Sequence, residues 1–348
     1  MPIRSSSLWL TLACLVLGLN AVRAATLSLV SPNTHLVGQV TDVTMRYEDT
    51  LLDIARRYGL GYQELVLANP TVDPWLPGEG TLVTLPTEYL LPDTPREGII
   101  VNRAEMRLYY YPRSASGRAE KVMTFAVGIG RVEWETPLGV TAVTGKVVDP
   151  VWYPPPSIRA EHAASGDPLP RMVPPGPDNP LGQFALQLGL PGYLIHGSNK
   201  AYGVGMRVSH GCIRLYPEDI QALFASVPVG TPVRIINQPY KTGWRDGVLY
   251  LEVHPPSGEI QKKATSQDLT FLVRTLVTAT RDNPSHAVNW QRAEAITLHP
   301  RGMPLPISGG DEDRMEDATE PQAMIERDEG MQPSENASHG TETVMEMR

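Results

Sequence analysis

Three side chains between Ile195 and Leu215 could do chemistry together: His196, His210 and Cys212, in the run I-H-G-S-N-K-A-Y-G-V-G-M-R-V-S-H-G-C-I-R-L. A free thiol has a pKa of about 8.5 and is only slightly ionised at neutral pH, so a nucleophilic cysteine needs a neighbour that takes its proton. His210 lies two residues from Cys212. In an extended chain that spacing sets both side chains along one face, a poor arrangement for in-line proton transfer. His196 follows an apolar strand and can project from the strand end across a turn towards the thiol. We therefore read His196 as general base and later acid, a role worth about 10²–10⁴ in rate, and His210 as a brace for the turn.

Gly211 lets the backbone turn so that amide N–H groups face a reacting carbonyl. An oxyanion hole built from the N–H groups of Gly211 and Cys212 would add on the order of 10²–10³. No Asp or Asn stands at an obvious third position, so the orienting partner of His196 is sought in a backbone carbonyl, that of Gly197. Arg214, two residues past the thiol, can receive a substrate carboxylate through its planar fork. His196, His210 and Cys212 are also competent zinc ligands, but a fourth ligand at a usual spacing and a Cys pair are both lacking. No metal or other cofactor is expected.

The rest of the cysteine usage sharpens this. The second cysteine, Cys14, sits in an apolar run from Leu8 to Leu19, preceded by Arg4 and followed by Ala24 and Ala25. This reads as an export signal, residues 1–24, cleaved after Ala24. About 12 apolar residues fall short of the roughly 20 that a spanning helix needs. Cleavage leaves Cys212 alone, a thiol without an intramolecular partner in an oxidising compartment. Its alternatives are catalysis and inert burial in a core.

The elements that must position this run occupy a chain of 348 residues with a formal net charge of -8. That length suits two or three units. The charge is concentrated in residues 308–348, which hold 12 acidic and three basic side chains and are expected to stay disordered. Asn336-Ala337-Ser338 in this tail is treated as a chance sequon. The body is near neutral, which argues against nucleic acid as a partner.

Near the N-terminus, Thr50 followed by Asp53 signals a helix start, and Leu51, Ile54, Ala55 and Tyr58 recur at helical spacing. Gly59 ends that helix, a second runs from about Tyr62 to Ala68, and Asn69-Pro70 stops it. Strands near Val43 and Val83 complete a βααβ unit. With Glu48-Asp49-Thr50-Leu51, Ile54-Ala55, Tyr58-Gly59 and Asn69-Pro70, residues 41–87 resemble a LysM domain, which implies binding of N-acetylglucosamine-containing glycans such as peptidoglycan. The alternative is a helical hairpin that only packs on its neighbour.

From Gly98 onward, β-branched and aromatic runs (I-I-V-N, M-R-L-Y-Y-Y, K-V-M-T-F-A-V-G-I-G, G-V-T-A-V-T-G-K-V-V) predict a mainly β domain. Residues 150–182, crowded with proline, are expected to form a loop without regular structure that walls the site. Pro217 opens a helix to about Ala225, and T-P-V-R-I-I supplies a closing strand. Residues 238–307 read as a small α+β unit, with V-L-Y-L-E-V a strand and Leu269, Leu272, Val273 and Leu276 a helical stripe more suited to core than to function.

The pattern H-G-x(11)-S-H-G-C-I-R, together with Thr136-Pro137-Leu138-Gly139 and G-P-D-N-P-L-G at residues 176–182, closely resembles the L,D-transpeptidases of the cell envelope. The resemblance covers residues 97–237 as a catalytic domain, and the extension to about residue 305 resembles the C-terminal region of the family's Gram-negative, LysM-bearing branch. It implies a multidomain chain built on a mainly β, sandwich-type catalytic domain, located in the periplasm. It also implies a reaction: the cysteine accepts the acyl group of a tetrapeptide stem at the L-centre of diaminopimelate, releases D-alanine and passes the acyl group to an amine. Cys212, His196, His210 and Gly211 are assigned to catalysis, and Arg214, Ser209 and Gly197 to substrate binding. The partners are glycan strands and stem peptides of peptidoglycan, with an outer-membrane lipoprotein lysine as one candidate acceptor. The alternatives are the same site using water, as a carboxypeptidase or amidase, and a wall-binding protein without catalysis.

Overall fold

The computed structural model describes residues 25–255, 269–282 and 286–309. The expected export signal with Cys14, and the acidic tail beyond Gly309 with its sequon, lie outside them.

The chain begins with strands β1 (Ala25–Ser28), β2 (Leu36–Gly38) and β3 (Thr41–Thr44), helices α1 (Leu51–Arg57) and α2 (Tyr62–Ala68), and strands β4 (Leu82–Leu85) and β5 (Glu88–Leu90). Thr50 caps α1 as its spacing predicts: its Oγ1 accepts the Asp53 N–H at 3.2 Å, and its own N–H donates to Asp53 Oδ2 at 3.0 Å. Gly59 follows with φ +66°, the left-handed region that a residue with a Cβ avoids. Asn69 does more than stop α2. Its side-chain amide donates to the carbonyls of Leu65 and Thr84 at 2.9 and 2.8 Å, stitching the helix to β4. β3 and β4 pair antiparallel over a small core of Leu51, Ile54, Leu60, Leu65 and Val83.

Next come β6 (Gly98–Asn102), β7 (Arg107–Tyr111), β8 (Lys121–Ala126), β9 (Ile129–Gly130), the ten-residue β10 (Gly139–Val148) and helix α3 (Pro156–Ala164). β11 (Phe184–Leu188), β12 (Leu194–His196), β13 (Arg207–Ser209), β14 (Ile213–Arg214), α4 (Pro217–Ser226) and β15 (Pro232–Ile236) complete this part. The hydrogen bonding runs through nine strands in the order β1-β8-β7-β6-β15-β10-β11-β12-β14, as two halves that share only β10. Its first half pairs with β15, its second half pairs with β11, and a register shift between Val143 and Gly145 bends it from one half of the sheet to the other. The two halves close over one core, where Val101, Leu108 and Phe125 meet Leu186, Ile195, Ile213 and α4's Ile220 and Leu223.

The proline-rich stretch is more ordered than its composition suggests. Pro156 stands at the first position of α3, where its missing N–H costs nothing, and Trp152 bridges to Val173. The remaining elements are β16 (Tyr240–Arg245), β17 (Val248–Val253), α5 (Thr270–Thr280), α6 (Trp290–Leu298) and β18 (Leu305–Pro306). They share a separate core in which Leu251 and Val253 pack on Leu272, Leu276 and Ile296. A buried polar knot ties this part to the main sheet: Lys241 Nζ lies 2.6 Å from Glu105 Oε2, 2.7 Å from Glu252 Oε1 and 2.7 Å from the Leu90 carbonyl. Glu105, Glu252 and His254 are the one group of metal-ligand type among the described residues. The Lys241 ammonium already supplies a cation between the two carboxylates.

Candidate active site

The sheet decides whether His196 and Cys212 can meet. β12 and β14 pair in parallel, with Ile195 opposite Ile213 and His196 opposite Arg214. Residues two apart on a strand share a face, so this register sets Cys212, one residue ahead of β14, diagonally across from His196. The backbone N–H of Leu194, one step before the paired Ile195, also reaches the Cys212 sulfur. A strand pairing between segments 18 residues apart thus does what adjacency in sequence does for neither histidine.

His196 is 2% exposed, and its Nδ1 lies 2.6 Å from the Gly197 carbonyl oxygen. A carbonyl can only accept, so Nδ1 carries the proton and Nε2 is the basic nitrogen. Burial, reinforced by the nearby Arg214 charge, lowers the His196 pKa to about 3 against the weaker pull of the Gly197 and Leu181 carbonyls. The imidazole is therefore neutral at pH 7. Cys212 is half-buried, and burial raises its pKa, opposed by the Leu194 N–H and the Arg214 charge. Its S–H points to the Gly192 carbonyl at 3.7 Å. The resting pair is thus neutral thiol with neutral imidazole.

Several residues of the motif stand elsewhere than their spacing suggests. Gly211 takes φ +103°, and a Cβ there would lie 2.8 Å from the Tyr193 ring. Its N–H, however, donates to Ser209 Oγ at 3.1 Å, so it is not a free oxyanion donor. The Cys212 N–H has no partner among the described residues and is the amide left for that role. Ser209, 1% exposed, has no hydroxyl to offer a substrate, because it also donates to the Cys212 carbonyl at 2.6 Å. The Gly197 carbonyl is likewise held by His196, which makes Gly197 an orienting residue rather than a substrate ligand. His210 does not brace the turn locally. Its Nε2 lies 3.0 Å from Glu161 Oε2 on α3, and its ring packs edge-on against Trp134 with centroids 5.4 Å apart.

Glu161 was not among the sequence candidates, and Thr136 was named only within its motif, without a role. Arg131 and His210 both hold Glu161, and these two contacts, Arg131 first, lower its pKa. Pro156 followed by Ser157-Ile158-Arg159-Ala160 was the available signal for the helix that carries it. Thr136 lies in the T-P-L-G motif, buried; it accepts the Gly130 N–H at 3.1 Å and donates to the Gly211 carbonyl at 2.8 Å. It locks the turn from beneath. Among the described residues, Arg214 is one of the arginines whose buried Nε has no hydrogen-bond partner, and burial lowers its pKa. A guanidinium left in that condition calls for an anionic ligand.

Residues 96–235 match the YkuD family model, described as the L,D-transpeptidase catalytic domain. Among curated proteins, the chain is 43% identical over 291 residues to the probable L,D-transpeptidase ErfK/SrfK of Escherichia coli K12, covering 82% of this chain and 92% of that protein. The chain belongs to the L,D-transpeptidase family. A second relative of this L,D-transpeptidase, the probable L,D-transpeptidase YbiS of Escherichia coli K12, is also 43% identical, over 256 residues, 72% of this chain and 82% of its own. The NMR structure of the catalytic domain from the E. faecium L,D-transpeptidase matches at 22% identity and a TM-score of 0.32, covering 42% of this chain and 100% of that one. In this L,D-transpeptidase, the family match takes in every residue described at the site, from Gly130 to Arg214.

Proposed function

We propose that this L,D-transpeptidase works in the periplasm on the tetrapeptide stems of peptidoglycan, with Cys212 as nucleophile and His196 as base. The observation that supports the reading is the parallel β12–β14 register, which sets Cys212 two residues before the partner of His196, together with the Gly197 carbonyl that holds the imidazole's Nδ1–H. As Sγ bonds to the stem carbonyl carbon, the thiol proton passes to His196 Nε2. The oxyanion accepts the Cys212 N–H. The carbon–nitrogen bond to D-alanine then breaks, and the His196 imidazolium returns the proton to the leaving amine. In the second half, an amine attacks the thioester, gives its proton to His196, and Sγ leaves and is reprotonated. Arg214 receives a carboxylate of the stem, which satisfies its buried guanidinium. Residues 41–87 serve as a glycan-binding module, and the acceptor is another stem, giving a 3-3 crosslink, or a lipoprotein lysine.

Incubation of the mature protein with disaccharide-tetrapeptide, followed by mass spectrometry, tests this. An acyl adduct on Cys212 that moves to an added amine is the expected result, with Cys212→Ala forming none. Release of tripeptide alone, despite added amine, would replace the transferase by a hydrolase. No adduct with substrate or with a carbapenem would remove Cys212 from the mechanism.

A further inference from the structure

A groove of about 820 Å³ opens between α1 and the segment that follows His196, and no step above uses it. We propose that this groove binds the saccharide strand to which the stem peptide is attached, an inference that rests on the substrate reading above. Its inner wall is Ser198 to Tyr202 with Tyr216 to Glu218, and α1 presents Leu52 and Arg56 from the other side. Ser198 is two residues from His196, so the groove begins within about 7 Å of chain from the base. An extended peptide of three residues, from the reacting carbonyl to the sugar, spans about 10 Å. The lengths match: a stem acylating Cys212 brings its sugar to the groove.

The groove is preformed because its two walls are locked together. The Tyr62 and Gln63 N–H groups, at the start of α2, donate to the carbonyls of Val204 and Gly205 at 3.4 and 3.3 Å. Gly61 and Gly205 touch so closely that a Cβ on Gly205 would lie 2.3 Å from Gly61 Cα. Tyr216 Oη donates to the Leu60 carbonyl at 2.9 Å. Beneath these, the Glu64 carboxylate receives two bonds from Arg107 Nη2, at 2.5 and 2.7 Å, inside the protein.

The lining selects the ligand. Most of its charged groups are engaged within the walls: Arg56 pairs with Glu218 at 3.5 Å, Arg57 with Asp49 at 2.5 Å, and Asp53 Oδ2 accepts hydrogen bonds from Thr50. The Ser198 hydroxyl is taken up by the Lys200 backbone. What remains for a ligand is the Asn199 amide, the Leu52 side chain, a Tyr202 ring that is 55% exposed and the ammonium of Lys200, which has no charged partner among the described residues. An amide, an aromatic face, an aliphatic patch and one free cation suit a chain of hydroxyl and acetamido groups bearing few negative charges. A multiply charged peptide would find one partner here. The volume falls within the range of about 300–1,000 Å³ typical of small-ligand sites.

The test uses the full mature chain and two variants, Asn199→Ala and Tyr202→Ala, with folding read from circular dichroism and Tm. Wild type should show a KM for disaccharide-tetrapeptide at least about tenfold below that for free tetrapeptide, and both variants should erase most of that ratio. Peptide-free tetrasaccharide, titrated by NMR, should shift the Asn199 side-chain amide in wild type. Equal KM values in wild type, or variants that weaken both substrates alike, would overturn the groove assignment. If neither substrate acylates Cys212, the function reading falls instead, and the saccharide titration still decides the groove: binding there sustains it and its absence ends it.

Discussion

The pH dependence of Cys212 acylation follows from the burial of His196. With a pKa of about 3, this imidazole is only about 1% protonated at pH 5, whereas one at the ordinary value of about 6.5 would be about 97% protonated. The two cases diverge strongly: acylation between pH 7 and pH 5 changes less than about twofold for the buried base, but falls about 25-fold for an ordinary one. A mechanism using thiolate formed beforehand gives a third outcome. Since burial raises the Cys212 pKa, thiolate would fall tenfold per pH unit, or about 100-fold over the same interval. The assay is single-turnover acylation of the mature protein by a carbapenem, followed by stopped-flow absorbance in buffers of constant ionic strength. A flat profile is expected. A midpoint near pH 6.5, or a unit slope, would refute the buried neutral base and the concerted proton transfer proposed with it.

Two further perturbations address the framework. Glu64→Gln leaves the buried Arg107 guanidinium without its counter-charge, although Arg107 still lies over the Tyr89 ring at 4.1 Å; loss of one partner of such a pair costs about 3–5 kcal/mol, measurable by urea unfolding. Asp219, buried on α4 and beside Glu218, has its pKa raised to about 7, so the native state keeps a proton that the unfolded chain loses between about pH 4 and pH 7. Stability contributed by that proton is complete at low pH and lost as pH rises through this window. Asp219→Asn should accordingly flatten the decline of Tm between pH 5 and pH 8 relative to wild type, and an unchanged difference would contradict the assignment.

What could be read without coordinates was set by short-range physics. The Thr50 cap, the left-handed Gly59, the stop at Asn69 and the Pro217 start of α4 each depend on residues within about one helical turn, so their spacing is visible in the chain. The proposal of His196 over His210 as base rests on local geometry too, because two residues along one strand make a poor in-line pair. The helix α3 hid behind its prolines, since a prolyl residue at the first helical position is easily mistaken for a loop residue.

Tertiary structure decided the rest, because each remaining feature joins segments whose partnership leaves no mark in local spacing. Gly211 looked like an oxyanion donor until the fold of the turn gave its N–H to Ser209. His210 found its partner in Glu161, 49 residues away. The bend of β10 carries one strand through both halves of the sheet, and the Gly61–Gly205 contact set the N-terminal unit against the segment that leads to the thiol. Residue types therefore named the candidate groups, a thiol, an imidazole and a guanidinium. Which atoms of those residues are free to react was settled by burial and hydrogen bonding, and these exist only once distant parts of the chain have packed.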